Sequence, residues 1–184
     1  MDSFTTLIKK DCAAYSGMNY KQVRLKHLLI RYSKTPGFKV TCHMRLLKKM
    51  SSGRKGFLYL IERIKYRRLQ VKYGIQIGYR LTVGGGFTIN HYSGIVIGEG
   101  AEIGENFNIR NNTTIGHVGG KTPQIGDNVC VGANATIIGD IRIGNDVMIG
   151  AGAVVVKSVN DNDIVAGNPA KVIGSIPKGV HPQI

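Results

Sequence analysis

An aliphatic residue, most often followed by glycine, recurs every six residues across the C-terminal two-thirds of the chain. The anchors are Ile77, Val83 and Ile89; Ile97, Ile103, Ile109 and Ile115; then Ile125, Val131, Ile137, Ile143, Ile149 and Val155. A six-residue period matches neither the 3.6 of an amphipathic helix nor the alternation of a long strand. It fits a prism-shaped solenoid, a parallel β-helix, in which each hexad forms one flat side and three hexads complete a coil. A coil of this kind buries its anchors only against the coils above and below, so many successive hexads are needed, and this chain supplies them.

The remaining 72 N-terminal residues read differently. Of 25 Lys and Arg, 18 fall in residues 1–72, against only Asp2, Asp11 and Glu62, whereas from Tyr73 onward 7 basic face 8 acidic residues. The net charge of +14 is therefore concentrated at one end, the footprint of a partner-facing module on a neutral scaffold. The division expected is a basic α-helical region over 1–72, a β-helix over 73–176 and a tail over 177–184. A composition of 42% hydrophobic residues with 25 glycines suits a turn-rich β core and excludes a disordered chain.

Cys12, Cys42 and Cys130 are odd in number and widely spaced, which matches neither a disulfide framework nor a metal knot and implies a reducing compartment. No apolar run has the length of a signal peptide core or a membrane span, so a cytoplasmic protein is expected. Phe4, Leu7 and Ile8 predict a first helix, Tyr20 to Ser33 a second, and Phe38 to Met50 another after the Thr35-Pro36-Gly37 break. Phe57, Leu60, Ile61 and Ile64 fall at i, i+3, i+4 and i+7 and predict the apolar face of a last one. Lys21, Arg24, Arg31, Arg63 and Arg67 lie on these helices beside Leu, Phe and Tyr. That pattern is either a solvated surface or a docking face for an anionic membrane or phosphate-bearing ligand. No DNA or RNA motif accompanies the charge, so nucleic acid is not an expected partner.

The period breaks twice. Ile89 to Ile97 spans eight residues, and the excess lies in Asn90-His91-Tyr92-Ser93-Gly94, which puts His91 at an edge of the prism. A lone histidine is often structural, but at a register fault it is available as a general base. Ile115 to Ile125 spans ten, with His117-Val118-Gly119-Gly120-Lys121-Thr122-Pro123 forming a protruding loop that is either a tolerated insertion or a ligand-facing element. Gly132-Ala133-Asn134-Ala135 and, 18 residues on, Gly150-Ala151-Gly152-Ala153 place small residues at one corner of adjacent coils. Either they pack a tight corner or they open backbone groups along a groove suited to a thin, amide-bearing ligand such as pantetheine.

Together, the hexads, the edge histidine, the loop and the closing Val165-Ala166-Gly167-Asn168-Pro169-Ala170-Lys171 resemble the hexapeptide-repeat acyltransferases, in the serine-acetyltransferase-like branch. That resemblance implies a left-handed β-helix, a homotrimer, and acetyl-CoA lying between adjacent prisms at active sites shared by two subunits. It implies His91 as the base and acetyl-CoA contacts at Gly116, His117, Gly132, Ala133, Gly150, Ala151 and Lys171, with no metal. Where serine acetyltransferases carry two aspartates and an Arg-His pair, this chain has Gln76, Asn90, Lys121 and Thr122. An ammonium-bearing acceptor needs fixed carboxylates, so L-serine fits poorly. The helical leader and the Tyr73-Gly74-Ile75-Gln76-Ile77 stretch are instead similar to acetyltransferases of capsule, colanic-acid and O-antigen synthesis. Their sugar or lipid-linked glycan hydroxyls suit Gln76, Asn90, Asn111, Asn112, Lys121 and Thr122 as acceptor contacts. The expectation is direct O-acetylation of a sugar for surface polysaccharide. Alternatives are serine O-acetylation, a covalent acyl-Cys130, a zinc hydratase recruiting His27, His43 or His181, and a non-catalytic trimeric spacer with a membrane-docking leader.

Overall fold

The computed structural model describes residues 2–53, 56–177 and 179–182. Helices α1 (Phe4–Ala14), α2 (Leu25–Lys34), α3 (Pro36–Ser51) and α4 (Phe57–Tyr73) come first. Ser3 caps α1 by accepting the Thr6 N–H at 3.1 Å, Pro36 opens α3, and Gly74 in the left-handed conformation (φ 62°) ends α4. The helix predicted over Tyr20 to Ser33 is divided: Tyr20–Gln22 is a 3₁₀ turn, Val23 is extended, and α2 begins only at Leu25.

The solenoid follows as about five coils. The first is β1 (Ile75–Ile77), β2 (Thr82–Val83) and β3 (Thr88–Ile89); the second is β4 (Ile95–Ile97), β5 (Glu102–Ile103) and β6 (Asn108–Ile109). The third is β7 (Thr114–Gly116), β8 (Gln124–Ile125) and β9 (Cys130–Val131); the fourth is β10 (Thr136–Ile138), β11 (Arg142–Ile143) and β12 (Met148–Ile149). The last is β13 (Val154–Val155) and β14 (Asp163–Ala166), with β15 (Lys171–Ser175) turning back antiparallel on β14. Parallel stacking gives face A (β1-β4-β7-β10-β13), face B (β2-β5-β8-β11) and face C (β3-β6-β9-β12-β14). The anchors pair in register, Ile97 with Ile115 and Ile109 with Val131, so each aliphatic side chain stacks on its copy one coil away. Every hexad anchor is buried, most of them completely, and this continuous aliphatic column is the core.

The helices close one end of the column. Along the stack an anchor's carbonyl accepts an N–H from the preceding coil, as Ile103 O does from Gly84 (3.0 Å) and Ile115 O from Gly98 (2.8 Å). The first-coil anchors have no preceding coil, and side chains take its place. Ile77 O accepts from Tyr66 Oη (2.7 Å) and Gln70 Nε2 (2.5 Å), Val83 O from Arg45 Nη1 (3.2 Å), and Ile89 O from Tyr15 Oη (3.2 Å). Burial pushes the Tyr15 and Tyr66 phenols well up, so both remain donors. Each carbonyl left bare would cost about 1–3 kcal/mol and present an open sheet edge. Val40, Met44, Leu47, Tyr59 and Tyr66 share one hydrophobic cluster with the anchors, so the basic region is an integral cap.

Beneath the cap Arg45 and Asp11 form a buried bidentate pair, Nε to Oδ2 at 2.5 Å and Nη2 to Oδ1 at 2.9 Å. Arg45 Nη2 also donates to Gly84 O (2.6 Å), and Asp11 Oδ1 accepts the N–H of Gly86 (2.9 Å) and Phe87 (3.0 Å). Burial pushes the Asp11 carboxyl up, opposed by the Arg45 guanidinium and the two amides.

The apolar stripe of α4 is not where amphipathic reasoning places it. Tyr59, Glu62, Tyr66 and Gln70 face inward, while Phe57, Leu60 and Ile64 are exposed and Ile61 is half-buried. The inner face is polar because it must donate hydrogen bonds to the open coil.

Candidate active site

The corner between faces C and A carries the turns 90–94, 110–113, 132–135 and 150–153. Backbone hydrogen bonds hold them in register: Asn112 N to Ser93 O (2.8 Å), Asn134 N to Asn111 O (3.0 Å) and Gly152 N to Ala133 O (2.8 Å). One position along each turn the chain is left-handed, at Gly94 (φ 65°), Asn112 (55°), Asn134 (61°) and Gly152 (70°). Asparagine tolerates that region, and Asn112 Nδ2 donates to Asn134 Oδ1 at 3.1 Å. At Gly94 a Cβ would run into the Asn112 carboxamide oxygen, so only glycine fits.

The two additional residues of the 90–94 turn are accommodated by positive φ at His91 (53°) and Ser93 (123°), uncommon for side-chain-bearing residues and frequent at functional sites. His91 is exposed, and among the described residues its ring has no hydrogen-bond partner. Asn90 is half-buried and its N–H donates to Ile109 O (2.9 Å). Gly74 abuts Ser93 and Gly94, which brings exposed Gln76 of β1 to the same edge of face A. Tyr73 and Tyr92 stand beside the turn, ring centroids 5.2 Å apart and edge-on, and among the described residues Arg110 Nε is buried at this corner without a hydrogen-bond partner. Sequence reasoning passed over Tyr73, Tyr92 and Arg110, although Tyr92 adjoins His91 in the chain.

Along this corner Ala133 is half-buried, Ala151 exposed, Gly132 buried and Gly150 half-buried. The closing segment lies over the last turn, with Val154 N donating to Gly167 O (2.9 Å) and Ala170 N to Val154 O (2.8 Å), so exposed Lys171 ends the column. The four turns contain no Asp or Glu.

The second break lies elsewhere. Gly116 ends β7, and His117 to Pro123 project from the corner between faces A and B. Val118 and Lys121 exchange backbone hydrogen bonds (3.1 Å each) around Gly119 (φ 59°) and Gly120 (φ 80°), a two-residue hairpin that requires two positive φ values. Lys121 Nζ pairs with Asp140 at 2.6 Å, and Thr122 Oγ1 donates to Gly100 O at 2.9 Å. Within one protomer, therefore, His117, Lys121 and Thr122 sit across face A from His91, Gln76, Asn90, Asn111 and Asn112, and do not join them in one cleft.

The other histidines are dispersed. His27 Nδ1 accepts the Arg24 N–H, His43 lies between Tyr32 and Glu62, and His181 pairs with Asp146. Among the described residues no three His, Cys, Asp or Glu side chains converge as a metal-binding group. Cys130 alternates with the inward anchor Val131 and is buried, walling a groove of about 1050 Å³ between α1, face C and the 181–182 tail. Burial pushes the Cys42 thiol up to about 12 and raises Cys12 as well, so both stay protonated near neutral pH. Site-resolved mass spectrometry after iodoacetamide treatment should find these two at least about tenfold slower to alkylate in the native chain than in urea.

The chain matches the family model "Bacterial transferase hexapeptide (six repeats)" over residues 122–157. A crystal structure of serine acetyltransferase from Neisseria gonorrhoeae in complex with serine superposes with a TM-score of 0.77 at 31% identity, covering 93% of this chain and 69% of that one. This chain belongs to the hexapeptide-repeat transferase family. Serine acetyltransferase 4 of Arabidopsis thaliana is 39% identical over 113 residues, 59% of this chain and 32% of its own length. The putative colanic acid biosynthesis acetyltransferase WcaB of Escherichia coli K12 is 44% identical over 103 residues, 54% of this chain and 64% of that one. The chain thus spans about a third of the plant member of the family and nearly two-thirds of the bacterial one.

Proposed function

We propose that this protein is an acetyl-CoA-dependent O-acetyltransferase whose acceptor is a sugar hydroxyl, free or lipid-linked, in surface polysaccharide synthesis. One observation carries the acceptor: beside Tyr92 and Arg110, the four turns of the His91 corner supply amides and small residues and contain no Asp or Glu to pair with an ammonium. Gln76, Asn90, Asn111 and Asn112 offer neutral donors and acceptors, the complement of a polyol. Gly132, Ala133, Gly150 and Ala151 leave a shallow corner for pantetheine, ending at Lys171 for a CoA phosphate.

His91 accepts the proton of the acceptor hydroxyl as its oxygen attacks the thioester carbonyl. A backbone N–H near Gly116 or Ala133 steadies the oxyanion, and the CoA thiolate leaves and takes up a proton. Because His91 and the 117–123 loop occupy opposite edges of face A, a complete site needs the loop of a neighbouring copy, and a homotrimer supplies one at each interface. Acetyl-CoA and a membrane-borne acceptor together point to the cytoplasmic side of a membrane.

A second reading, serine O-acetylation, draws on the likeness to the serine-bound Neisseria enzyme. Thiol release from acetyl-CoA separates the two: release with nucleotide sugars or lipid-linked glycans and none above background with L-serine is expected, and release with L-serine alone assigns the second. No release with any acceptor, and no rise in Tm with acetyl-CoA, leaves a non-catalytic scaffold.

A further inference from the structure

Helix α4 is inside out. Its inner face buries Tyr59, Glu62, Tyr66 and Gln70, while Phe57, Leu58 and Val71 are 76%, 71% and 69% exposed and Leu60 and Ile64 about half. The capping of Ile77 O by Tyr66 and Gln70 explains the polar inner face. It does not explain the apolar outer one. At 100° per residue Phe57, Leu60, Ile64 and Val71 form one stripe along the helix, with Arg63 and Arg67 on one flank and Lys65, Arg68 and Lys72 on the other. Helix α2, which packs on α3 as α4 does, has no fully buried residue, and Leu25, Leu29 and Ile30 are exposed on it beside Lys26 and Lys34. The hydrogen-bonded crossing Tyr32–His43–Glu62 ties α2, α3 and α4 together (2.7 and 2.5 Å).

We propose that the outward faces of α2 and α4 are a docking surface for an anionic lipid bilayer, on which the chain lies without crossing it. The occupant follows from charge. Helix α2 has no acidic residue, and the single carboxylate of α4, Glu62, is held inward against His43, so the exposed surface of both helices carries cations only. A second copy of the same face would set cation against cation, whereas an anionic headgroup layer meets the cations while its acyl boundary receives the Phe57–Leu60–Ile64–Val71 stripe. No helix among the described residues is long and apolar enough to span a membrane, which leaves the in-plane arrangement. Since α4 caps the first coil, its outer face points away from the coil stack. A ring of side-by-side prisms would present several copies at one end and multiply the attachment.

The proposal does not depend on the acetyl-transfer reading, and sedimentation with vesicles tests it separately. The chain should sediment with phosphatidylglycerol–phosphatidylcholine vesicles at low salt, be released at high salt, and stay in solution with phosphatidylcholine alone. R67Q/R68Q should weaken binding roughly twenty-five-fold, about fivefold per cation. I64S/V71S keeps every charge and, at exposed positions, the fold, yet should weaken it about tenfold or more. H91N should bind vesicles as the parent does, and acetyl transfer to a soluble acceptor should survive in I64S/V71S. Failure to sediment with anionic vesicles overturns the proposal, as does undiminished binding by I64S/V71S. Dissociation of a larger assembly by I64S/V71S without vesicle binding would make the face a contact between copies. Binding to nucleic acid in place of vesicles would overturn it equally.

Discussion

Replacement of His91 by Asn is expected to lower kcat for acetyl transfer by about a hundredfold to ten-thousandfold, the range a positioned general base contributes. Asparagine is the informative substitution because the position has φ 53°, which Asn adopts with little strain, so the turn should keep its shape. The corner column from Ala133 to Lys171 does not involve the imidazole, and the rise in Tm caused by acetyl-CoA should persist. The loss would then sit in kcat with coenzyme affinity retained, the signature of a group needed for the chemical step. A variant that kept most of its activity would remove His91 from the role and shift attention to His117 across face A. Thermal shift and thiol release on the same preparation distinguish these results from simple misfolding.

Much of the solenoid was legible in the sequence because its physics is periodic. Ile97, Ile115, Ile137 and Val155 stand at one place in successive coils, and each is buried for the same reason, so one rule places them all. The candidate site stands out in the sequence only where that rule fails. The interruptions at 90–94 and 117–123 are visible as spacing faults, but spacing does not say on which corner of the prism each falls. The count of strands between them does: β4 to β7 puts one break before face A and the other after it.

The cap was illegible because its logic is not amphipathic. Tyr66, Gln70, Arg45 and Tyr15 are inward because the first coil's anchor carbonyls have no coil to pair with, a need that hydrophobic periodicity in α4 cannot register. The same periodicity marks Phe57, Leu60 and Ile64 as one stripe but carries no information on which side of the helix faces the column. Lys121 and Thr122 illustrate a different limit. Their side chains are engaged with Asp140 and Gly100, partners some 20 residues away whose proximity follows only from coil geometry.

The cap also predicts the largest loss of stability. Asp11→Ala should destabilise the chain by about 3–5 kcal/mol, because it strands the buried Arg45 guanidinium and removes the acceptor of the Gly86 and Phe87 amides. The urea midpoint followed by far-UV circular dichroism measures it. The double variant Asp11→Leu/Arg45→Met should recover part of the loss, since no uncompensated charge remains, but not all of it, since Val83 O and Gly84 O still lose their donor. Lys10→Ala is the control: it removes the surface pairs of Lys10 with Asp2 and Glu105, and its cost should stay within about 1 kcal/mol. Equal midpoints for Asp11→Ala and Lys10→Ala would mean that the open end of the first coil is held by the hydrophobic cluster alone. The hydrogen-bonded cap would then be a consequence of the helices' position and not its cause.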